Sequence, residues 1–438
     1  MCTVAPAMVR RLRFSAATPL ILLAVVSVLS LAARGLLLDE PCASPCTRAS
    51  DHTLIFDEAY YVNAARVIAG LRPPAGAHYA DAPPGTDPNA EHPQGVKLII
   101  AAAIEIFGDG PFAWRIGSLL FGSIAILGMF ALVRWSGGGR WSALCASTLM
   151  ACDNLLLVHG RIGTLDIYVV AAMIWGVALY LRGRPWLAGL VLAIGDCFKL
   201  VAPYALGVLF LLELFRVLVA HRDRGSPAEW RLRPALKRFV CTTFTSVGVF
   251  IGLLGIMDRI APPYADSEGK LITGGAIDHI AHMISYASGL TSPHGPKGIA
   301  SYPWEWLLDL KPITYLRVNP SLPGDGLNAV HPVTAFFGMI SPPIMLLALP
   351  GLAFAGYRFL RPQRLVAGGR SFADPQLAIV GVAWFIGTFA PFEVLSALDS
   401  RTSYLYYMVI VMPGIYVAVT YLVSLGWRRR RRSLRALT

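Results

Sequence analysis

One pattern constrains this chain more than any other. Apolar runs of helix length recur from end to end, separated alternately by short Arg-rich segments and by Arg-poor polar stretches. A hydrocarbon layer of about 30 Å needs roughly 20 apolar residues per crossing helix. Backbone groups inside it must be satisfied within the protein, so only helices or closed barrels can cross. The runs lie at 16–33, 112–133, 141–158, 167–181, 239–257, 332–356, 377–391 and 404–426, with 185–195 and 200–215 as a further pair. They predict an all-α polytopic membrane protein with about ten transmembrane helices, in a range of roughly nine to eleven. Two places set that range: the short run 96–107 and the interrupted stretch 185–215. Composition agrees. The 438 residues are 55% hydrophobic and 15% charged, and the mean hydropathy is +0.57, outside the range of soluble domains.

Charge distribution predicts the topology. Arg10, Arg11 and Arg13 precede the first apolar run, which reads as an uncleaved first helix with a cytoplasmic N-terminus. With ten spans, the Arg-rich segments 134–140, 182–184, 216–238 and 358–370 and the basic tail 427–438 all fall on the cytoplasmic side. Two long Arg-poor loops, 34–111 and 258–332, fall on the non-cytoplasmic side and are expected to carry short interfacial helices. Residues 1–438 read as one transmembrane domain of the plasma membrane, with the C-terminus also cytoplasmic. The net charge of +12 is accounted for by these topology signals, and no nucleic-acid partner is assigned.

Acids are scarce, so adjacent ones at the mouth of a membrane helix attract notice. Asp57-Glu58 stands in the first loop between Ile55-Phe56 and Ala59-Tyr60-Tyr61. An acid there can complement a helix N-terminus, or act as a general base if burial raises its basicity. His92 and Lys97 follow in the same loop. Lys97 can snorkel to the interface or bind a lipid phosphate. Arg161 and Asp166 sit at the hinge between the third and fourth spans. Ionisable residues at that depth are functional or paired with one another. The second loop brings His294, Tyr302, Trp304 and Trp306, as an aromatic belt or as a surface on which sugar faces stack. Cys42 and Cys46 flank Ala43-Ser44-Pro45; further metal ligands are not close, and a local disulfide on an oxidising face is the better reading. No phosphate-cradling or dinucleotide-binding Gly pattern stands where its mechanism needs it. Chemistry on the non-cytoplasmic face therefore calls for a lipid-linked donor.

The order of these motifs resembles the dolichyl- or polyprenyl-phosphate-mannose–protein mannosyltransferase family, membrane-embedded glycosyltransferases of the GT-C type. The likeness rests on Phe56-Asp57-Glu58, on Glu91-His92-Pro93 leading to Lys97, and on Phe112-Ala113-Trp114-Arg115. It continues with Arg161 and Leu165-Asp166, with Tyr302-Pro303-Trp304-Glu305-Trp306, and with Lys311-Pro312-Ile313-Thr314-Tyr315. The resemblance implies inverting transfer of mannose from a polyprenyl-phosphate carrier to Ser or Thr hydroxyls of a secreted or membrane protein. It implies Asp57 as the base and Glu58 as an acid that orients the acceptor or supports the site. Arg161, with Lys97 or His92, would hold the donor phosphate, and Asp166 would position Arg161. No nucleotide is implied. Cofactors are none, with a divalent cation left open because related enzymes use one. Implied partners are the lipid-linked donor, the protein or glycan acceptor, membrane lipids and the secretion translocon. The run His92-Pro93-Gln94-Gly95-Val96-Lys97 departs from the family's usual His-Pro-Pro-Leu-Gly-Lys, and Leu200-Val201-Ala202-Pro203 replaces a Trp-rich stretch after Lys199. These departures bear on the acceptor more than on the fold. Two alternatives stand beside this reading: the same donor class with a lipid or cell-wall glycan acceptor, and a transporter of lipid-linked sugars.

Overall fold

The computed structural model describes residues 17–42, 46–201, 203–223, 226–318, 334–361 and 373–436. The basic run Arg10–Arg13, residues 319–333 of the second loop and the Arg-rich stretch 362–372 lie outside the described residues, as do the side chains of Arg428–Arg432. In chain order the helices are α1 (Thr18–Gly35), α2 (Glu58–Ile68), α3 (Gly95–Phe107), α4 (Pro111–Trp135) and α5 (Arg140–Cys152). Next come α6 (Asn154–His159), α7 (Asp166–Leu181), α8 (Pro185–Asp196), α9 (Pro203–Arg222) and α10 (Leu232–Ile260). The chain closes with α11 (Gly275–Gly289), α12 (Pro303–Trp306), α13 (Pro342–Leu360), α14 (Ala373–Asp399) and α15 (Met408–Ala436). Two small antiparallel ribbons, β1 (Tyr264–Ala265) with β2 (Lys270–Leu271) and β3 (Ile313–Val318) with β4 (Thr334–Gly338), lie in the second long connection.

Prolines punctuate this order. Pro19, Pro111, Pro185 and Pro342 stand in the first turns of α1, α4, α8 and α13, where the missing N–H costs nothing. Among the described residues seven helices are long and apolar enough to cross a bilayer: α1, α4, α9, α10, α13, α14 and α15. The expected third span is divided. Asp153 ends α5 and caps α6, accepting from the Leu155 N–H at 3.1 Å. The ambiguous 185–215 stretch resolves into α8 and α9 with Lys199 in the break. α7 and α8 are shorter apolar helices. Of the ten expected spans, seven are matched by such helices among the described residues, and the other three fall on helices that are broken or short of span length.

The bundle packs α4 against α7, α8 against α7 and α10, α9 against α14, and α15 against α13 and α14. Its two ends differ. At one end Arg222 donates to the carbonyls of Phe359 and Leu360, Arg238 pairs with Glu213, and Gln376 reaches the Trp135 carbonyl. At the other end the two long Arg-poor connections lock together. The Tyr264 N–H donates to the Asp87 carbonyl at 2.8 Å, and Gln94 donates to Asp258 at 2.7 Å. His279 joins that Asp258 carboxylate at 2.8 Å and meets the Ala90 carbonyl with its other nitrogen. The functional cavity opens within this second end.

Candidate active site

The site is built outward from Phe56. This residue has φ of +52°, a left-handed conformation that is costly for a bulky side chain and persists where surroundings over-determine it. Its ring is fixed edge-on against Tyr315 at 4.6 Å and Tyr406 at 5.8 Å. The turn it makes sends the two neighbouring acids in different directions.

Glu58 turns inward and is fully buried. Its carboxylate accepts four hydrogen bonds: Arg115 Nε and Nη2 at 2.8 Å each, the Ile55 N–H at 2.8 Å and the Gly163 N–H at 2.7 Å. A Cβ at Gly163 would come within 2.8 Å of the Trp114 carbonyl oxygen, so only glycine lets that N–H approach. Arg115 also donates to the carbonyls of Leu38 and Glu40. This clamp joins the chain after α1, the start of α2, α4 and the 160–165 turn. Every acceptor direction of Glu58 is used within the protein, and Glu58 does not line the cavity.

Asp57 turns outward. It lines a cavity of about 1280 Å³, larger than an ordinary small-ligand pocket. Among the described residues no side chain hydrogen-bonds its carboxylate. Burial pushes its carboxyl up to about 7, against the pull of Lys199 and with a further push from Asp166. It is thus a carboxyl near neutrality that faces open space, the condition for a general base.

Lys199 faces the same cavity from the α8–α9 break. Its ammonium donates to Asp166 Oδ1 at 2.7 Å and lies 5.5 and 5.6 Å from the ring centroids of Tyr406 and Tyr407. His92 also lines the cavity, beside the Tyr61 ring at 6.0 Å. Burial, with Lys199 and Lys97 nearby, holds it down at about 3, so it is neutral at physiological pH. Glu91, Tyr61, Tyr204 and Arg401 complete the polar and aromatic wall. The arrangement offers an unpartnered acid, a fixed cation and a neutral imidazole around one space.

Several residues expected at the site are elsewhere. Lys97 is completely enclosed and bonded to Asp87 at 2.5 Å and to the carbonyls of Asn89 and His92 at 2.6 and 2.8 Å. An ammonium so filled has no donor left for a phosphate. Arg161 donates to the carbonyls of Leu36 and Leu37 and covers the Phe336 ring at 4.1 Å. It does not line the cavity, and Asp166 pairs with Lys199 instead of positioning Arg161. In the second connection Trp306 is a core residue, donating to Ser301 at 2.9 Å. Tyr302 and Trp304 stack on each other at the exposed surface, and His294 is also exposed. None of these four lines the cavity. Lys199 is a cavity cation that was not among the expected site residues, although an ionisable residue inside an apolar break is a signal of function or pairing.

Cys42 and Cys46 are joined in a disulfide. With His52 they form the group of His, Cys and acidic ligand atoms that, among the described residues, lies close enough together for a metal. Its sulfurs are bonded to each other and are not thiolate ligands. Asp57, Glu91 and His92 share the cavity wall but do not form such a group. Among the described residues the cavity wall holds no cluster of ligand atoms close enough together for a resident ion.

The helical bundle has the fold of solved membrane transferases. The protein O-mannosyltransferase Pmt1-Pmt2 complex of S. cerevisiae, solved with its sugar donor, matches with a TM-score of 0.64 at 12% identity, over 95% of this chain and 85% of that one. ArnT from Cupriavidus metallidurans matches with a TM-score of 0.52 at 17% identity, over 97% of this chain and 64% of that one. Residues 91–224 match the family model described as dolichyl-phosphate-mannose-protein mannosyltransferase. A polyprenol-phosphate-mannose–protein mannosyltransferase of Corynebacterium glutamicum is 24% identical over 88% of this chain and 80% of its own length. One from Mycobacterium tuberculosis is 23% identical over 84% of this chain and 75% of its own. In sequence the chain is thus similar to the dolichyl- and polyprenyl-phosphate-mannose–protein mannosyltransferases, over residues 91–224 by the family model and over most of its length by the two relatives.

Proposed function

We propose that this chain transfers a mannosyl residue from a polyprenyl-phosphate carrier to Ser or Thr hydroxyls of proteins. The observation that carries the reading is Asp57: a carboxyl raised to about 7, with no side-chain hydrogen bond among the described residues, on the wall of one cavity with Lys199. The Asp57 carboxylate takes the proton of the acceptor hydroxyl. The hydroxyl oxygen forms its bond to the anomeric carbon while the bond to the carrier phosphate oxygen breaks, with inversion. The phosphate leaves with that electron pair and is held by the Lys199 ammonium, a preplaced charge where negative charge develops. His92, neutral, hydrogen-bonds sugar or phosphate. Glu58 and Arg115 hold Asp57 in place without touching substrate. The step assigns no role to a divalent cation.

The whole chain acts as one transmembrane catalytic domain. Its cavity opens on the non-cytoplasmic face of the plasma membrane, with both termini cytoplasmic. The gathering of Arg222, Arg238 and Glu213 at the opposite end of the bundle supports that orientation. Polypeptides emerging from the secretion translocon are the acceptors such a face meets. The test supplies purified chain with labelled polyprenyl-phosphate-mannose and a Ser/Thr-rich peptide, and a second peptide with those residues changed to Ala. Label on the first peptide alone is expected. Label that enters membrane lipid or glycan, and neither peptide, would move the acceptor to that class.

A further inference from the structure

Asp57 and Lys199 come from distant parts of the chain, and one buried side chain touches the supports of both. Tyr315, on β3, is 6% exposed and lies outside the cavity lining. Its hydroxyl is 2.7 Å from His159 Nε2, and His159 Nδ1 is 3.4 Å from Asp166 Oδ2. Asp166 Oδ1 accepts from Lys199 at 2.7 Å. A carboxylate can only accept, so Nδ1 carries a proton, and in the neutral imidazole Nε2 then accepts from the Tyr315 hydroxyl. Thr164 Oγ1, 3.4 Å from the same Nδ1, shares that donor. On its other side the Tyr315 ring packs edge-on against Phe56, the left-handed residue that aims Asp57. The ring also has a seat built for it. Gly338 on β4, the register partner of Ile313, leaves the space, and a Cβ there would come within 2.1 Å of the ring.

We propose that Tyr315 and His159 are positioning residues that fix Lys199 relative to Asp57, so that the β3–β4 hairpin sets the gap across which the sugar is displaced. The proposal rests on the reading of Asp57 as base and Lys199 as phosphate ligand. Two contacts of one residue meet the two ends of the reaction, the hydroxyl through His159 and Asp166, the ring through Phe56. Misplacement of reacting groups by a fraction of an ångström to one ångström lowers turnover by about ten- to a hundredfold.

The experiment measures kcat, the KM of each substrate and the melting temperature for the purified full chain and three variants. The donor is labelled polyprenyl-phosphate-mannose and the acceptor a Ser/Thr-rich peptide. Tyr315→Phe keeps the ring and removes the hydroxyl; it is expected to lose about tenfold in kcat with acceptor KM and melting temperature unchanged. His159→Asn, which breaks the same path from its middle, is expected to match it. Gly338→Ala leaves every polar group in place and displaces the ring; it is expected to lower kcat likewise. Wild-type kcat in Tyr315→Phe and His159→Asn would overturn the proposal, as would losses that only track the fraction of folded protein. If the wild type itself transfers nothing, the reading of the site falls first, and this inference with it.

Discussion

Glu58→Gln exchanges one carboxylate oxygen for an amide nitrogen inside a closed site. In the wild type that carboxylate accepts two hydrogen bonds from Arg115 and one each from the Ile55 and Gly163 N–H groups, all between 2.7 and 2.8 Å. Whichever way the amide sits, its NH2 faces N–H donors. Arg115, 2% exposed, keeps two carbonyl partners and loses its counter-charge. Removing one partner of a buried ion pair costs about 3–5 kcal/mol, so a loss of about 4 kcal/mol is expected. Asp57→Asn is the matched control, one residue away. Its carboxyl is pushed up to about 7 by burial, so the folded state favours the neutral form, and above pH 7 the ionised group weighs against folding. Asparagine removes that weight. At pH 8 Asp57→Asn is therefore expected to melt at or above the wild type, and Glu58→Gln well below it, in detergent thermal unfolding followed by tryptophan fluorescence. A Glu58→Gln protein that melts with the wild type and loses only turnover would refute the clamp and make Glu58 a chemical participant.

The remaining predictions concern the cavity and its neighbours. Activity is expected to rise with pH through about 7, because Asp57 must be ionised to accept a proton and its folded value lies there; a rate flat from pH 6 to pH 8 would contradict this. Lys199→Met is expected to weaken donor use by about tenfold or more in kcat/KM while the acceptor KM holds, since an Asp166-anchored cation is lost from the phosphate end. Arg161→Ala removes donors to Leu36 and Leu37 and a cover from Phe336; it is expected to cost about 1–3 kcal/mol of stability and to leave donor KM unchanged. A steep rise in donor KM would return Arg161 to the phosphate site.

The legible parts of this molecule were those governed by solvent. Hydropathy marked the helical segments, because each must present apolar surface over a fixed length. It did not register the break at Asp153, whose carboxylate caps α6 and also accepts from Tyr416, 263 residues away, at 2.5 Å. The acidic pair could be found from its scarcity, but not the division of labour between its members. That follows from the left-handed turn at Phe56, held by Tyr315 and Tyr406 from the far half of the chain. The basic residues show the limit most clearly. Lys97, Arg161 and Lys199 all stand at helix boundaries, and the apolar break around Lys199 marks it as ionisable at membrane depth without showing which of the three faces the cavity. Asp87 encloses the first, carbonyls after α1 take the second, and Asp166 holds the third at the cavity wall. The aromatic run 302–306 carries residues suited to sugars, yet Trp306 fills the core and Tyr302 and Trp304 face outward. The rings that do line the cavity, among them Phe56, Tyr61, Tyr204, Tyr286, Phe392 and Tyr406, come from widely separated stretches of the chain.

The central claim is that Asp57 performs the proton transfer and is not needed to hold the donor. The most direct measurement compares wild type and Asp57→Asn in one preparation, for binding of polyprenyl-phosphate-mannose and for transfer of its label to peptide. Donor binding is expected to stay within about twofold and transfer to fall by about a hundredfold or more, as for loss of a general base. Transfer by Asp57→Asn close to the wild-type rate, or loss of transfer that is matched by loss of donor binding, would contradict it.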